Sequence, residues 1–167
     1  MTGMLRRLGT LCALSSMFVA CDGAGATVDP GMRPLCGTWT ADSGANERWE
    51  IDGDNLIGKA FNGEEHEDIA LLAGDQGHVY SVQPGGGPTT EFRPIDPSAA
   101  RFSVQVPPGA KVWVWANYDH DFPQEIHYAL LANEGRLEAT IVGPGEGGEA
   151  ASMAWTMTRT ASCVIVS

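Results

Sequence analysis

Beyond Leu35 apolar and polar residues alternate with a period of two, and almost no stretch shows the three-to-four-residue spacing of a helix. In Arg101-Phe102-Ser103-Val104-Gln105-Val106 every second residue is apolar, which predicts a strand. Ile126, Tyr128 and Leu130 share one face of the next such run, with Glu125 and His127 on the other; Leu137, Ala139 and Ile141 repeat the pattern. Ala151, Met153, Trp155, Met157 and Arg159 form one face of a long final strand. Turn-forming clusters separate these runs, among them Asp52-Gly53-Asp54-Asn55, Gly74-Asp75-Gln76-Gly77, Pro84 to Pro88, Pro107-Pro108-Gly109, Asn133-Glu134-Gly135 and Gly143 to Gly148. The pattern predicts an all-β domain of roughly nine to ten antiparallel strands joined mostly as hairpins. Such a chain closes into a barrel or packs as a sandwich, and alternation alone leaves both open.

The first twenty residues follow another logic. Met1 to Arg7 is short and basic, and Leu8 to Ala20 is mostly apolar. An apolar stretch of that length is short of the ~20 residues a membrane helix needs and matches a secretory signal. It ends in Phe18-Val19-Ala20-Cys21, which resembles the bacterial lipoprotein signal-peptide family, where a small residue precedes the cysteine that becomes a diacylglyceryl-modified N-terminus. The resemblance implies lipidation at Cys21; ordinary secretory cleavage is the alternative. Asp22 to Pro34 is small, polar and broken by prolines, and reads as a flexible tether reaching about 20 Å. The expected division is therefore a signal peptide over 1–20, a lipidated cysteine and tether over 21–34, and one folded domain over 35–163. This places the protein outside the cytoplasm, anchored in the bacterial cell envelope, with inner or outer membrane left open.

Charge agrees with a lipid anchor rather than an electrostatic one. The chain has 10 Lys and Arg against 21 Asp and Glu. Two of the basic residues, Arg6 and Arg7, precede Ala20, so the remainder keeps eight against 21 and carries −13. That balance argues against nucleic acid, whose phosphates must be neutralised by Lys and Arg. It equally disfavours docking on anionic headgroups. With Cys12 in the signal and Cys21 set for lipid, Cys36 and Cys163 remain at the two ends of the domain. In an oxidising compartment they form a disulfide, the alternative being two free thiols. No C-x-x-C motif points to redox or zinc chemistry.

Two resemblances favour the barrel. Gly37-Thr38-Trp39 near the start and Arg159 near the end look like the calycin superfamily, which includes the lipocalins; there a G-x-W tryptophan on the first strand packs under an arginine from the last. Asn117-Tyr118-Asp119-His120-Asp121-Phe122-Pro123-Gln124-Glu125-Ile126-His127-Tyr128 resembles the N-P-x-H-D-F-P-Q-x-I-x-Y stretch of an uncharacterised lipocalin-like bacterial family, with Tyr118 in place of the family's proline. Shorter segments, Leu35 to Trp39, Glu47-Arg48-Trp49 and Leu137 to Gly143 among them, also fit that family. The resemblance implies an up-and-down lipocalin-like barrel and supplies no activity.

Candidate chemistry gathers around a few side chains. His120 with Asp121 sits where a tryptophan-bearing strand turns back, a place for a general base, a ligand contact or a turn-stabilising pair. Glu47 shares parity with Trp49 and Ile51, which turns a carboxylate inward unless the strand begins at Arg48. Inward, it would anchor a ligand, meet an arginine such as Arg93, or face internal water. Trp113 and Trp115 share a face and could line a cavity with Tyr128. The residues expected to bind a small, partly apolar ligand are thus Glu47, Trp113, Trp115, His120 and Tyr128. An enzyme using His120 with a carboxylate partner, or a structural envelope protein with a dry core, are the other readings. Gly143 to Gly148 satisfies G-x-G-x-x-G literally but precedes no helix and carries an acid where phosphate would sit, so no dinucleotide is expected. Glu64-Glu65-His66-Glu67-Asp68 reads as a solvated charged face rather than a metal site. No cofactor or metal is expected, and the domain is expected to be a monomer.

Overall fold

The computed structural model describes residues 29–166. The expected signal peptide, Cys21 and most of the expected tether lie outside them. After a short 3-10 turn at Arg33–Leu35 the strands run β1 Gly37–Ala41, β2 Asn46–Asp52, β3 Asn55–Asn62, β4 Glu65–Leu72, β5 Val79–Pro84, β6 Thr90–Ile95, β7 Lys111–Ala116, β8 Glu125–Leu131, β9 Arg136–Pro144, β10 Ala150–Ala161 and β11 Val164–Val166. Each strand from β2 to β9 pairs antiparallel with the next, and β1 pairs with both β2 and β10. The ten strands therefore close on themselves as an up-and-down, lipocalin-like barrel, which removes the exposed edges a sandwich would keep. The short β11 adds to β2 in parallel, Val164 opposite Glu50, beyond the stretch of β2 that pairs with β1.

Alternation decides what lies inside. Trp39, Trp49, Leu56, Leu71, Phe92, Trp115, Tyr128, Leu137 and Met157 are fully buried on the inward faces. Tyr80 stands at the centre of the aromatic packing, its ring 5.4 Å from that of Trp115, 6.0 Å from Tyr128 and 6.1 Å from Trp49. The Trp115 indole N–H donates to the His78 carbonyl at 2.8 Å, which satisfies its one polar atom. Gly58 faces this cluster; a Cβ there would lie 2.1 Å from the Arg48 carbonyl oxygen and 3.3 Å from the Trp49 ring. Only glycine allows β2 and β3 to approach that closely beneath an indole.

The end at which the chain enters is sealed by the residues of the G-x-W resemblance. Trp39 and Arg159 are register partners, and the guanidinium lies 4.2 Å from the Trp39 ring centre. It also donates to the carbonyls of Cys36, at 2.6 Å, and Pro34. The Trp39 indole donates to Leu35 at 2.7 Å. Gly37 has φ +132°, and a Cβ would press on the Ala161 carbonyl at 2.6 Å and on the guanidinium at 3.0 Å. The Cys36–Cys163 disulfide ties the start of β1 to the start of β11 at the same end.

One predicted strand is absent. Arg101 to Val106 is not a strand but the middle of a strap, residues 96–110, between β6 and β7. It climbs the outer wall of the barrel to the start of β8, where the Arg101 amide donates to Glu125 Oε1 at 2.6 Å, and returns to Lys111. Period-two alternation describes any extended segment lying on an apolar wall, so Phe102 and Val104 are half-buried without a ladder. The strap explains why Val114, Ala129, Val142, Glu125 and His127, all on the outward faces of β7–β9, are buried.

Candidate functional site

The barrel is filled at the end where the chain enters and hollow toward the other. There the first residues of β2, the β3–β4 hairpin and the facing parts of β8, β9 and β10 border a half-open cavity of about 230 Å³. Its apolar wall comes from Ile126, Ala139, Ile141, Met153, Trp155 and Met157. Its polar wall comes from Asn46, Glu47, Asn62, Glu65, Glu67 and the two tyrosines, Tyr80 and Tyr128. A larger concavity, about 620 Å³, lies on the outer face of β2–β5, where the charged side chains are paired, Arg48 with Glu50 and Lys59 with Asp68. The smaller cavity is the better site on physical grounds, since it lies inside the barrel and brings an inward carboxylate against a largely apolar wall.

Glu47 is at its centre. β2 begins at Asn46, so Glu47 is in the ladder, opposite Trp39 on one side and Ala60 on the other, and its inward parity with Trp49 holds. The Tyr128 hydroxyl donates to Glu47 Oε2 at 2.7 Å, and the Trp49 indole N–H donates to the same oxygen at 3.0 Å. With its proton committed to Glu47, Tyr128 accepts from the Tyr80 hydroxyl at 3.3 Å. The chain Tyr80 to Tyr128 to Glu47 therefore points its donors at one carboxylate oxygen. Among the described residues Oε1 has no hydrogen-bond partner and remains available to the cavity.

Burial raises the Glu47 carboxyl above its ordinary range; the Tyr128 and Trp49 hydrogen bonds oppose this, and the charge of Glu67 adds to it. Glu67 is also raised, first by burial and then by Glu65. Tyr80 and Tyr128 are held well above the usual phenol value, by burial and then by the negative charge of Glu47, so both keep their protons.

No protein-family model, curated protein or solved structure matches the chain. The site is therefore read from its own geometry.

Of the five residues expected at a ligand site, Glu47 and Tyr128 meet in the cavity and three do not line it. Trp115 is fully buried beneath it, packed on Tyr80 and Tyr128. Trp113 is half-buried, with the Lys111 ammonium 5.1 Å from its ring centre. His120 lies in the connection between β7 and β8, at the cavity's end of the barrel but outside its lining. Its Nδ1 is 2.9 Å from the Pro123 carbonyl and its ring packs edge-on to Phe92 at 5.8 Å. Gln124 Nε2 donates to the His120 carbonyl at 2.8 Å, so the motif residues brace their own turn. Asp121 is exposed, and no hydrogen bond joins it to His120 among the described residues. Arg93 is exposed and away from Glu47, so the acid is met by tyrosine and tryptophan instead.

Sequence reasoning missed Tyr80, Glu67, Met153 and Trp155 as cavity residues. Their inward parity was readable, but which inward residues border a void depends on how large side chains from other strands fill the barrel. It also missed a second polar cluster, on the outer wall. The fully buried Glu125 carboxylate accepts from the Arg101 amide, from the Tyr118 hydroxyl at 2.7 Å and from His127 Nε2 at 2.8 Å. The Arg101 guanidinium covers the Tyr118 ring at 3.6 Å. Burial alone would raise Glu125, but these hydrogen bonds together hold it below the usual carboxylate value.

Proposed function

We propose that the protein is an exported lipoprotein, held at a membrane of the bacterial envelope through an acylated Cys21, whose lipocalin-like barrel binds a small, partly apolar molecule. The single observation that carries the binding reading is the cavity inside the barrel, with a carboxylate turned into an otherwise largely apolar wall. An inward acid in a barrel is costly unless it meets a partner or a ligand, and here one of its two oxygens is left for the cavity. The volume of about 230 Å³ sets the scale. It exceeds the ~150 Å³ void that accepts benzene and falls below the ~300 Å³ at which drug-sized pockets begin. The ligand is accordingly compact, with one polar head and an apolar body. The anchoring reading rests on the leader sequence and on the charge of the remainder, which gives no electrostatic affinity for an anionic membrane.

Native mass spectrometry of the full chain purified from its host tests both parts. The expected spectrum shows a protein carrying one small molecule that is lost on denaturation, and a denatured chain that begins at a diacylated Cys21. Ala139→Phe, which places a ring in the cavity, is expected to abolish the bound mass while the barrel still gives a cooperative melt. A clean apo mass from the native protein, or an adduct unchanged by Ala139→Phe, contradicts the binding reading. An unacylated N-terminus contradicts the anchor.

A further inference from the structure

The polar side of the cavity has one sign. Glu47, Glu65 and Glu67 border it from β2 and β4, and no Lys, Arg or His is among the described residues that line it. Glu67 lies two strands over from Glu47, with β3 between them through the register Glu47–Ala60–Glu67, on the same inward face. The remaining polar groups, Asn46, Asn62, Tyr80 and Tyr128, are neutral. The Tyr128 and Trp49 donors converge on Oε2, so hydrogen bonds stabilise a charge on Glu47 from behind and leave its front toward the void. Aromatic rings flank that void: Tyr80, Tyr128 and Trp155 line it, and Phe61 stands at its rim. Aromatic faces and carboxylates both attract a cation and both disfavour an anion.

We propose that the cavity selects an ammonium-bearing ligand: a small amine whose cationic head is directed at the Glu47 carboxylate and whose apolar body lies against Ile141, Met153 and Trp155. This rests on the binding reading above and names the chemical class of its ligand. A ligand carboxylate would meet three acids without a compensating base. A neutral head could bond to Glu47 Oε1 but would leave the repulsion between Glu47 and Glu67 in place. An ammonium ion relieves that repulsion, and burial, which makes the two acids resist ionisation, strengthens their attraction for a cation once it has entered.

Isothermal titration of the full chain with three probes of nearly the same shape, phenethylamine, phenethyl alcohol and 3-phenylpropionate, decides the matter. The amine is expected to bind at least about tenfold more tightly than the alcohol, and the carboxylate not to bind measurably. Glu47→Gln keeps an oxygen for Tyr128 and Trp49 while removing the charge, and is expected to bring amine and alcohol to similar affinity. Glu67→Gln, nearer the rim, is expected to reduce the preference in part, and keeps the test open should the Glu47 variant fail to fold. Equal binding of amine and alcohol by the native chain overturns the cation assignment and leaves the cavity reading standing. Preferred binding of the carboxylate overturns it as well. An amine preference that survives both substitutions removes these carboxylates from the explanation. If none of the three probes binds, this inference and the binding reading fall together.

Discussion

Replacing Cys163 with serine is expected to lower the unfolding free energy by about 4–5 kcal/mol in the chain-entropy model. The Cys36–Cys163 bond spans 127 residues, nearly the whole barrel, so breaking it restores to the unfolded chain most of the conformations that the cross-link removes. The native-state contribution has the same sign. The bond fixes β11 at the edge of β2 and holds Cys36, whose carbonyl accepts from the Arg159 guanidinium above Trp39. Denaturant unfolding of the oxidised protein, the reduced protein and Cys163→Ser measures this. Reduced and Ser-substituted chains are expected to share one lowered midpoint, and a midpoint equal to that of the oxidised chain would sink the prediction.

The second large effect belongs to Glu125. Changing it to alanine leaves the Arg101 and Phe102 amides, the Tyr118 hydroxyl and His127 without their common acceptor, at a cost of about 4 kcal/mol for four orphaned donors. The loss should be concentrated in the strap, because Arg101 and Phe102 both bond to this carboxylate through their amides. Acid reproduces part of the effect. A carboxylate held below its ordinary value contributes stability that is complete above the unfolded-state value, ~4.3, and is lost as pH falls through the lower folded-state value. Hydrogen exchange of residues 96–110 is therefore expected to be slow at neutral pH, to quicken below the ordinary carboxylate range, and to be quick at every pH in Glu125→Ala once intrinsic exchange is corrected. Strap exchange that ignores both the substitution and the acid would show that Glu125 does not hold it.

These two effects mark how far the sequence could be read. The disulfide was legible because only Cys36 and Cys163 fall in the expected domain over 35–163, one at each end. The barrel's strands were legible wherever alternation is two-faced, as in β8 and β9, and the contact of Trp39 with Arg159 was foreshadowed by an arginine on the apolar side of β10. The strap was not legible. An extended segment pressed on a wall has the same apolar period as one in a ladder, and nothing local to Phe102 or Val104 separates the two. The same segment hides the meaning of Glu125 and His127, outward polar residues that parity assigns to solvent and that the strap buries.

The site was half legible for a related reason. Parity turned Glu47 and Tyr128 inward, and they meet at 2.7 Å. It turned Trp115 inward equally, yet Trp115 became packing beneath the tyrosines rather than cavity wall. Whether an inward residue lines a void depends on the height it occupies in the barrel and on the bulk opposite, and both are set by shear across many strands. His120, in the most distinctive motif of the sequence, holds its own turn and packs on Phe92. Motif distinctiveness marked a constrained backbone here, while the cavity-facing carboxylate, Glu47 at the start of β2, was marked by parity alone.

The central claim is that the barrel is hollow at Glu47 and open to a small ligand, and the five tryptophans supply its most direct test. In a 15N-labelled chain each indole N–H gives one resonance. Trp49 donates to Glu47 and Trp155 lines the cavity, whereas Trp39 is held under Arg159 and Trp113 lies outside the lining. On titration with phenethylamine the Trp49 and Trp155 signals are predicted to move together along one saturable curve, with those of Trp39 and Trp113 unmoved. A titration in which all five stay still, or in which Trp113 moves and Trp49 does not, would contradict it.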